Sequence, residues 1–161
     1  MLINRSIGSW FFLGAILTTA KLTYDEPFSG NHCGNCTRCL DACPTDAFPQ
    51  PGVLDANRCI SYHTIENRDA EVPADLATDF GQWVYGCDIC QEVCPWNRFA
   101  PNDSDPAFHP RSDLRTMTPE RLLALSQEDF RRHFQGTPLE RTCFEAMQRN
   151  AQTALDNIIP E

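Results

Sequence analysis

Apolar residues near the N-terminus recur with helical spacing. Ile7, Trp10, Gly14 and Leu17 follow one another at steps of three and four residues, so they would share one face of a helix. The pattern predicts an amphipathic helix over residues 1–21, followed by a linker that contains proline and glycine and ends at residue 31.

A secretory signal peptide is the alternative for the same stretch. Arg5 precedes the apolar run 7–20, which ends in small residues. The helical periodicity favours the amphipathic helix instead. The run is also too short for a membrane span, which needs about 20 apolar residues, so we expect no membrane partner.

Start signals for helices recur in the tail, residues 102–161. Thr118 stands before a proline, the arrangement of a helix cap with proline at the first helical position. Ser126 and Asp129 form the start of a second helix, which Gly136 would end. A third helix is predicted from apolar residues four apart, namely Leu139, Cys143 and Met147. The tail is therefore predicted to be helical.

A cysteine-rich unit, residues 32–101, lies between the two predicted helical regions. Eight of the nine cysteines fall between Cys33 and Cys94, in the patterns CxxCxxCxxxCP and CxxCxxxCP. These are metal-binding spacings rather than a disulfide framework, which favours a reducing cytoplasm. Prolines and glycines within the unit predict short helices joined by irregular loops.

The first motif predicts ligands for two different clusters. Cys33, Cys36 and Cys39 lie on one tight loop, where each thiolate can bind a different iron of a cubane. Cys43 is four residues beyond Cys39, about 6 Å along a helix axis, and so points toward a second site. The last cysteine of a bacterial ferredoxin run behaves in this way, because it ligates the other cluster.

The second motif completes the count for a bacterial two-[4Fe-4S] ferredoxin-like module. It lacks one cysteine of the triple, and Cys59 is the remaining candidate inside the unit. The first cluster would take Cys33, Cys36, Cys39 and Cys94, and the second would take Cys43, Cys59, Cys87 and Cys90. The alternative, a four-thiolate zinc site, would join CxxC pairs about 50 residues apart and leave four cysteines unexplained.

Other candidate ligands are expected to be structural. Cys143 is predicted to be a small core residue. Trp83 and Trp96 are expected to form a packing shell near the second motif. Four histidines show no partner pattern and are expected to be surface or packing residues: His32, His63, His109 and His133.

The formal net charge of −9 would repel a nucleic acid at long range. The charge is unevenly distributed, because residues 111–149 carry seven Arg against six acidic residues. A nucleic acid would therefore have to approach the tail.

Stretches outside the cysteine spacing resemble the epoxyqueuosine reductase family. The matching stretches are GSWFFLG (8–14), RCISY (58–62), TIE (64–66), YGCDICQ (85–91), CPWNR (94–98) and Arg-Asn-Ala (149–151). The resemblance covers nearly the whole chain. It implies a cobalamin-dependent iron-sulfur enzyme that reduces epoxyqueuosine to queuosine in the tRNA anticodon loop, the last step of queuosine biosynthesis.

The resemblance also implies the architecture and the partners. It implies a mostly α chain in which the two-cluster module, residues 32–101, is followed by the start of a HEAT-like helical tail, residues 102–161. Residues 1–31 would be the remnant of a cobalamin-facing domain. By resemblance, Ser9, Phe12 and Asp88 contact cobalamin. The tRNA anticodon loop and an electron donor such as ferredoxin or flavodoxin are the expected partners.

Two departures from the family pattern affect the predicted activity. The cobalamin-binding N-terminal domain and most of the HEAT-like region have no counterpart in this sequence, so we expect a truncated chain without epoxide reductase activity of its own. The alternative is a stand-alone two-[4Fe-4S] ferredoxin-like electron carrier. A dehalogenase-like electron module is more remote, because the SYHTIE and CPWNR stretches favour the queuosine enzyme.

Overall fold

Short helices separated by loops make up most of the regular structure in the computed structural model, which describes residues 1–101 and 105–158. The α-helices are α1 (Arg38–Asp41), α2 (Ile60–Ile65), α3 (Ile89–Glu92), α4 (Pro119–Leu123), α5 (Gln127–Phe134) and α6 (Phe144–Asp156). Six 3-10 helices lie at Ala56–Arg58, Thr78–Phe80, Pro95–Phe99, Pro106–Phe108, Leu114–Thr116 and Pro138–Arg141. The mostly helical class with irregular loops is confirmed.

Extended structure is sparse. In the two described ranges it consists of isolated antiparallel bridges, Asn4 with Gly8 and Gln50 with Val53. The same ranges contain no helix with the length and apolar character needed to cross a membrane.

The helix predicted over residues 1–21 is wrong, because this segment contains a tight turn and then residues without regular secondary structure. Asn4 and Gly8 exchange backbone hydrogen bonds across the turn, and Gly8 has a φ of +73°. Phe12, Ile16 and Leu17 are each more than nine-tenths exposed. An isolated short helix is unstable in water unless its apolar face packs against something, and none of these three side chains is buried.

The two cysteine motifs fold alike. Each motif contains a four-residue helix that carries one of its cysteines, Cys39 in α1 and Cys90 in α3, and the two helices contact each other. The residues before them have matching backbone angles, with φ −116° and ψ 5° at Thr37 and φ −110° and ψ 7° at Asp88. Similar local sequence thus gives similar local structure at two places that meet in space.

The apolar core of the cysteine-rich unit is small. Ile60, Leu76 and Phe80 are buried together, with Trp83 and Cys87 packed at the edge. Three buried side chains supply little of the hydrophobic free energy that a domain needs, so this unit depends on further cross-links.

The tail has its own core, in which α4 packs on α6. Its buried members are Leu122, Phe130, Phe134, Met147 and Ala151. The two caps anticipated from sequence are present. The Thr118 hydroxyl accepts a hydrogen bond from the Arg121 amide, and the Ser126 hydroxyl accepts one from the Asp129 amide.

The third tail helix differs from its prediction. Helix α6 begins at Phe144 with Cys143 as its N-cap, and Leu139 lies in the preceding 3-10 helix. The three residues four apart therefore do not form one helical stripe. Met147 is buried, whereas Cys143 is only half-buried.

Candidate functional site

The thiols of the first predicted set share one cavity. Cys33, Cys36, Cys39 and Cys94 all line a small cavity of 30 Å³ at the start of the cysteine-rich unit. They come from two regions of sequence, because Cys94 belongs to the second motif. The structure brings together one crossing cysteine and the triple from the other motif.

The first set is open to solvent on one side. Cys33 and Cys36 are exposed, Cys39 is half-buried and Cys94 is buried. The Asn31 carboxamide oxygen accepts a hydrogen bond from the Cys33 amide at 2.9 Å, which holds the loop entering the motif. Burial raises the pKa of the Cys39 thiol, with the neighbouring Cys33 and Cys36 adding to the effect.

The thiols of the second set lie within electrostatic range of one another. Burial raises the pKa of Cys87, and the nearby Cys59 and Cys43 raise it further. Burial also raises the pKa of Cys90 to about 11, and Cys87 and Cys59 contribute to that shift. All four thiols are half-buried. Thiols must lose their protons to bind metal, so metal binding here would release protons.

The two sets adjoin each other. Cys39 of the first set is among the thiols that raise the pKa of Cys90 in the second. Helices α1 and α3, which contain Cys39 and Cys90, are also in contact. Two clusters bound at these sets would therefore be close neighbours, a requirement for electron transfer between them.

One sulfur already has hydrogen-bond partners. The Ala47 amide donates to Cys43 Sγ at 3.3 Å, and the Thr45 hydroxyl lies 3.6 Å from the same sulfur. Arg58 fixes this loop by donating from Nε to the Thr45 carbonyl at 2.7 Å. Hydrogen bonds to ligating sulfur raise the reduction potential of an iron-sulfur cluster, so the arrangement suits a cluster ligand.

The donor set fits two cubanes. Each group consists of four thiols, and a [4Fe-4S] cluster takes four thiolates, one on each iron. Within residues 1–101 and 105–158, no three His, Cys, Asp or Glu side chains are placed to hold a single metal ion.

Aromatic rings pack in tilted pairs beside the first set. The His32 ring lies between Phe28 and Trp96, with ring centroids 4.9 and 5.1 Å away. Trp96 also donates from Nε1 to the His32 carbonyl at 2.8 Å. The packing roles expected of His32 and Trp96 are confirmed.

His63 is a buried, hydrogen-bonded residue rather than a surface one. Its Nε2–H donates to the Asn57 carbonyl at 2.7 Å, and its Nδ1 accepts from Asn67 Nδ2 at 3.1 Å. The ring therefore packs inside the unit, and both nitrogens are used.

The residues predicted to contact cobalamin lie in different environments. Phe12 is 92% exposed, and Ser9 is buried. Asp88 is exposed and stands before α3, and partial burial of its carboxyl raises its pKa. None of these three residues lines the open groove of 830 Å³ that Trp10 forms with residues of the two motifs, among them Arg38 and Cys94.

Sequence reasoning missed the anchor of the N-terminal segment. The Ser9 hydroxyl donates to the Gln91 carboxamide oxygen and accepts from Asn97 Nδ2 at 2.9 Å. The Asn97 carboxamide oxygen accepts from the Ser9 amide at 2.6 Å. These contacts span more than 80 residues of sequence, so no local pattern reveals them.

Sequence reasoning also missed a buried polar cluster between the tail and the cysteine-rich unit. We call Thr64, Arg149 and Asn150 the polar hub. Asn150 Nδ2 donates to the Thr64 carbonyl at 2.8 Å and to the Val84 carbonyl at 2.9 Å. The only sequence signal was that Thr64 and Arg149–Asn150 lie in stretches that resemble the reductase family.

A family model described as a 4Fe-4S double cluster binding domain matches residues 32–97. Similar proteins are named epoxyqueuosine reductase. The one from Cyclobacterium marinum is 45% identical over 150 residues, which is 93% of this chain and 47% of that protein. The one from Synechocystis sp. is 46% identical over 155 residues, 96% of this chain and 53% of that protein. The chain thus spans about half the length of these relatives.

Solved structures agree with the sequence comparison. The epoxyqueuosine reductase of Streptococcus thermophilus superposes with a TM-score of 0.80 at 32% identity, over 98% of this chain and 41% of that one. An epoxyqueuosine reductase crystallised with an epoxyqueuosine-modified tRNA-Tyr stem loop gives a TM-score of 0.74 at 38% identity, over 83% of this chain and 35% of that one.

Proposed function

Because this chain belongs to the epoxyqueuosine reductase family, we propose that it forms the iron-sulfur part of such an enzyme and carries two [4Fe-4S] clusters. One observation carries the proposal. The four thiols assigned to the first cluster line a common cavity although one of them comes from the second motif. The match of residues 32–97 to a double cluster binding domain supports the same conclusion.

The thiols would have distinct roles in electron transfer. When bound, the clusters supply one-electron transfer at low potential. The exposed Cys33 and Cys36 leave the first site open on one side, where an electron donor such as ferredoxin or flavodoxin would dock. The half-buried thiols of the second site, with the Ala47 amide on Cys43, hold that site in a drier environment.

We propose reduction of epoxyqueuosine to queuosine in the tRNA anticodon loop as the reaction of the enzyme that contains these residues. Converting an epoxide to an alkene takes two electrons and two protons and releases water. Two one-electron centres can supply the two electrons. Cobalamin would bring a strongly reducing cobalt to the epoxide. A tRNA stem loop carrying this base is present in one solved relative, which supports the substrate.

This chain would contribute side chains to the cobalamin site in different ways. Phe12 offers an exposed ring, and Asp88 offers an exposed carboxyl beside Cys87. The Ser9 hydroxyl is already bonded to Gln91 and Asn97, so Ser9 would act by anchoring the segment that carries Phe12.

The tail, residues 102–161, is proposed as the start of the HEAT-like region that approaches tRNA. Its arginines are unequally available. Arg111 pairs with Asp113, Arg132 with Asp129 and Arg141 with Glu66. Arg115 and Arg131 are exposed and are proposed to face phosphates. A cytoplasmic location goes with this proposal, since tRNA and reduced thiols occur together there.

Metal analysis of protein purified without oxygen tests the proposal. Two cubanes predict about eight iron atoms and about eight inorganic sulfides per chain. The protein should also absorb broadly in the visible range, and reduction should lower this absorbance. Stoichiometric zinc without sulfide would contradict it, as would a single cluster.

A stand-alone two-[4Fe-4S] ferredoxin-like electron carrier is the second candidate. The family match favours it in one respect, because the match concerns cluster binding alone. Electron delivery distinguishes the two candidates. A carrier would reduce a broad set of acceptor proteins, whereas the reductase part would pass electrons to epoxyqueuosine tRNA only within the longer enzyme and with cobalamin bound.

A further inference from the structure

The polar hub joins the two segments that enter the second cluster site. Helix α2 begins directly after Cys59, and the turn at Gly86 leads directly into Cys87. The Thr64 hydroxyl donates to the Ile60 carbonyl at 2.8 Å and accepts from the Gly86 amide at 3.0 Å. One hydroxyl therefore contacts the residue after one ligand and the residue before another.

Asn150 reinforces the same junction from the tail. Its two amide hydrogens go to the Thr64 and Val84 carbonyls, which lie on α2 and on the segment before the second motif. Arg149 donates from Nε and Nη2 to the Asn150 side-chain oxygen, so the amide can bind in only one orientation. All four hydrogen-bonding positions of the Asn150 carboxamide are occupied.

Burial makes these bonds decisive. Thr64 and Asn150 are 0% and 1% exposed. A buried amide or carbonyl that loses its partner gains no compensating bond from water. The segment that lost its partner would move until it reached solvent, and the adjacent cysteine would move with it.

We propose that Thr64 and Asn150 are positioning residues that fix the separation of Cys59 and Cys87 for the second cluster. This inference rests on the proposed binding of two clusters. It adds that the helical tail supports the second cluster through Asn150, whereas the first cluster is independent of the hub. None of the first-set thiols is adjacent in sequence to a hub contact.

Thr64→Val tests the proposal, because valine keeps the shape of threonine and removes the hydroxyl. Iron release to a chelator is measured for the full 161-residue chain after anaerobic reconstitution, together with electron paramagnetic resonance of both clusters. About half of the iron should leave roughly tenfold faster than in the wild type, and the signal of one cluster should shift. A Cys59→Ser variant identifies which signal belongs to the second cluster.

Two matched variants separate positioning from general stability. Thr142→Val makes the same isosteric change at an equally buried residue outside the hub, whose single hydroxyl proton goes to the Thr64 carbonyl rather than to residues 84–87. It should lower the thermal unfolding midpoint and leave iron release and the spectra unchanged. Thr64→Ser keeps the hydroxyl and should restore wild-type iron release.

If Thr64→Val folds poorly, Asn150→Ser takes its place, because the serine side chain is too short to reach both carbonyls. Its iron should also leave the second cluster faster than in the wild type. Equal iron release in Thr64→Val and Thr142→Val, or equal acceleration for both clusters, would overturn the inference. If the inference is overturned in this way but the wild-type protein still binds about eight iron atoms, the proposed function stands. Wild-type protein that binds only zinc would overturn both.

Discussion

Asn97 Nδ2 donates to the hydroxyl of Ser9 at 2.9 Å, across 88 residues of sequence. The bond joins the N-terminal segment to the residues that follow Cys94. Asn97 also donates to the Gln91 carbonyl at 2.6 Å, so one carboxamide ties the segment to the helix inside the second motif. The otherwise exposed segment therefore has a defined attachment next to the second cysteine motif.

Gly8 permits this attachment, and a substitution at Gly8 should release the N-terminal segment. Gly8 has a φ of +73°, and a Cβ there would lie 2.3 Å from Asn97 Oδ1. Gly8→Ala should destabilise the anchored state by about 1–2 kcal/mol from backbone strain, with the clash adding to it. Hydrogen exchange at the Ser9 amide, which donates to Asn97, should become faster.

Gly14→Ala is the control for the Gly8 substitution. Gly14 has no positive φ, and nothing lies within 4 Å of its Cβ position. Exchange at Ser9 should be unchanged in this variant. Equal exchange rates in the two variants would mean that the Gly8 contact does not hold the segment.

The proposed assignment, in which each motif gives its last cysteine to the other cluster, predicts which cluster each variant loses. Cys94→Ser should abolish the first cluster and keep the second, whereas Cys43→Ser should do the reverse. Each should retain about four of about eight iron atoms. Iron and sulfide analysis with paramagnetic resonance measures the remaining cluster.

Cys143→Ala serves as the control, since Cys143 caps α6 far along the chain from both motifs. It should retain all of the iron. Identical spectra for the Cys94 and Cys43 variants would exclude ligand exchange between the motifs.

Cluster removal should unfold the chain in part. The cysteine-rich unit buries only a three-residue core, whereas the tail buries a larger apolar cluster of its own. Chelation of iron without oxygen should therefore unfold residues 32–101 while α4, α5 and α6 keep their helicity. Hydrogen exchange resolved by segment measures this, and uniform loss of protection over both regions would contradict it.

The cap of α5 should make part of the stability depend on acid pH. The Ser126 hydroxyl donates to the Asp129 carboxylate at 2.7 Å, and this bond is the main reason that the pKa of Asp129 is lowered. A lowered folded-state pKa adds stability above the unfolded value near 4, and that stability is lost as the pH falls through the folded-state pKa.

Ser126→Ala should therefore lower the free energy of unfolding by about 1 kcal/mol at neutral pH through loss of the cap. The difference from the wild type should shrink below about pH 4, where Asp129 takes up a proton. Denaturant unfolding at several pH values measures both effects. Ser126→Thr keeps the hydroxyl and should behave like the wild type, and a pH-independent difference would contradict the assigned role of Asp129.

Local patterns determined the class of site and parts of the tail. The spacing of the cysteines indicated two iron-sulfur clusters because a short loop limits where three thiols can point. Thr118 and Ser126 marked the starts of α4 and α5 because a cap acts within one turn of its own helix.

Tertiary structure decided what those patterns could not. The apolar spacing of residues 1–21 resembled a helix, but such a face forms a helix only when a packing surface covers it, and the segment is instead held by Ser9 and Asn97. Likewise, Thr64 and Asn150 lie 86 residues apart, and their bond exists only because α6 packs against α2. Long-range hydrogen bonds leave no periodic trace in a sequence, because their geometry depends on the whole fold rather than on neighbouring residues.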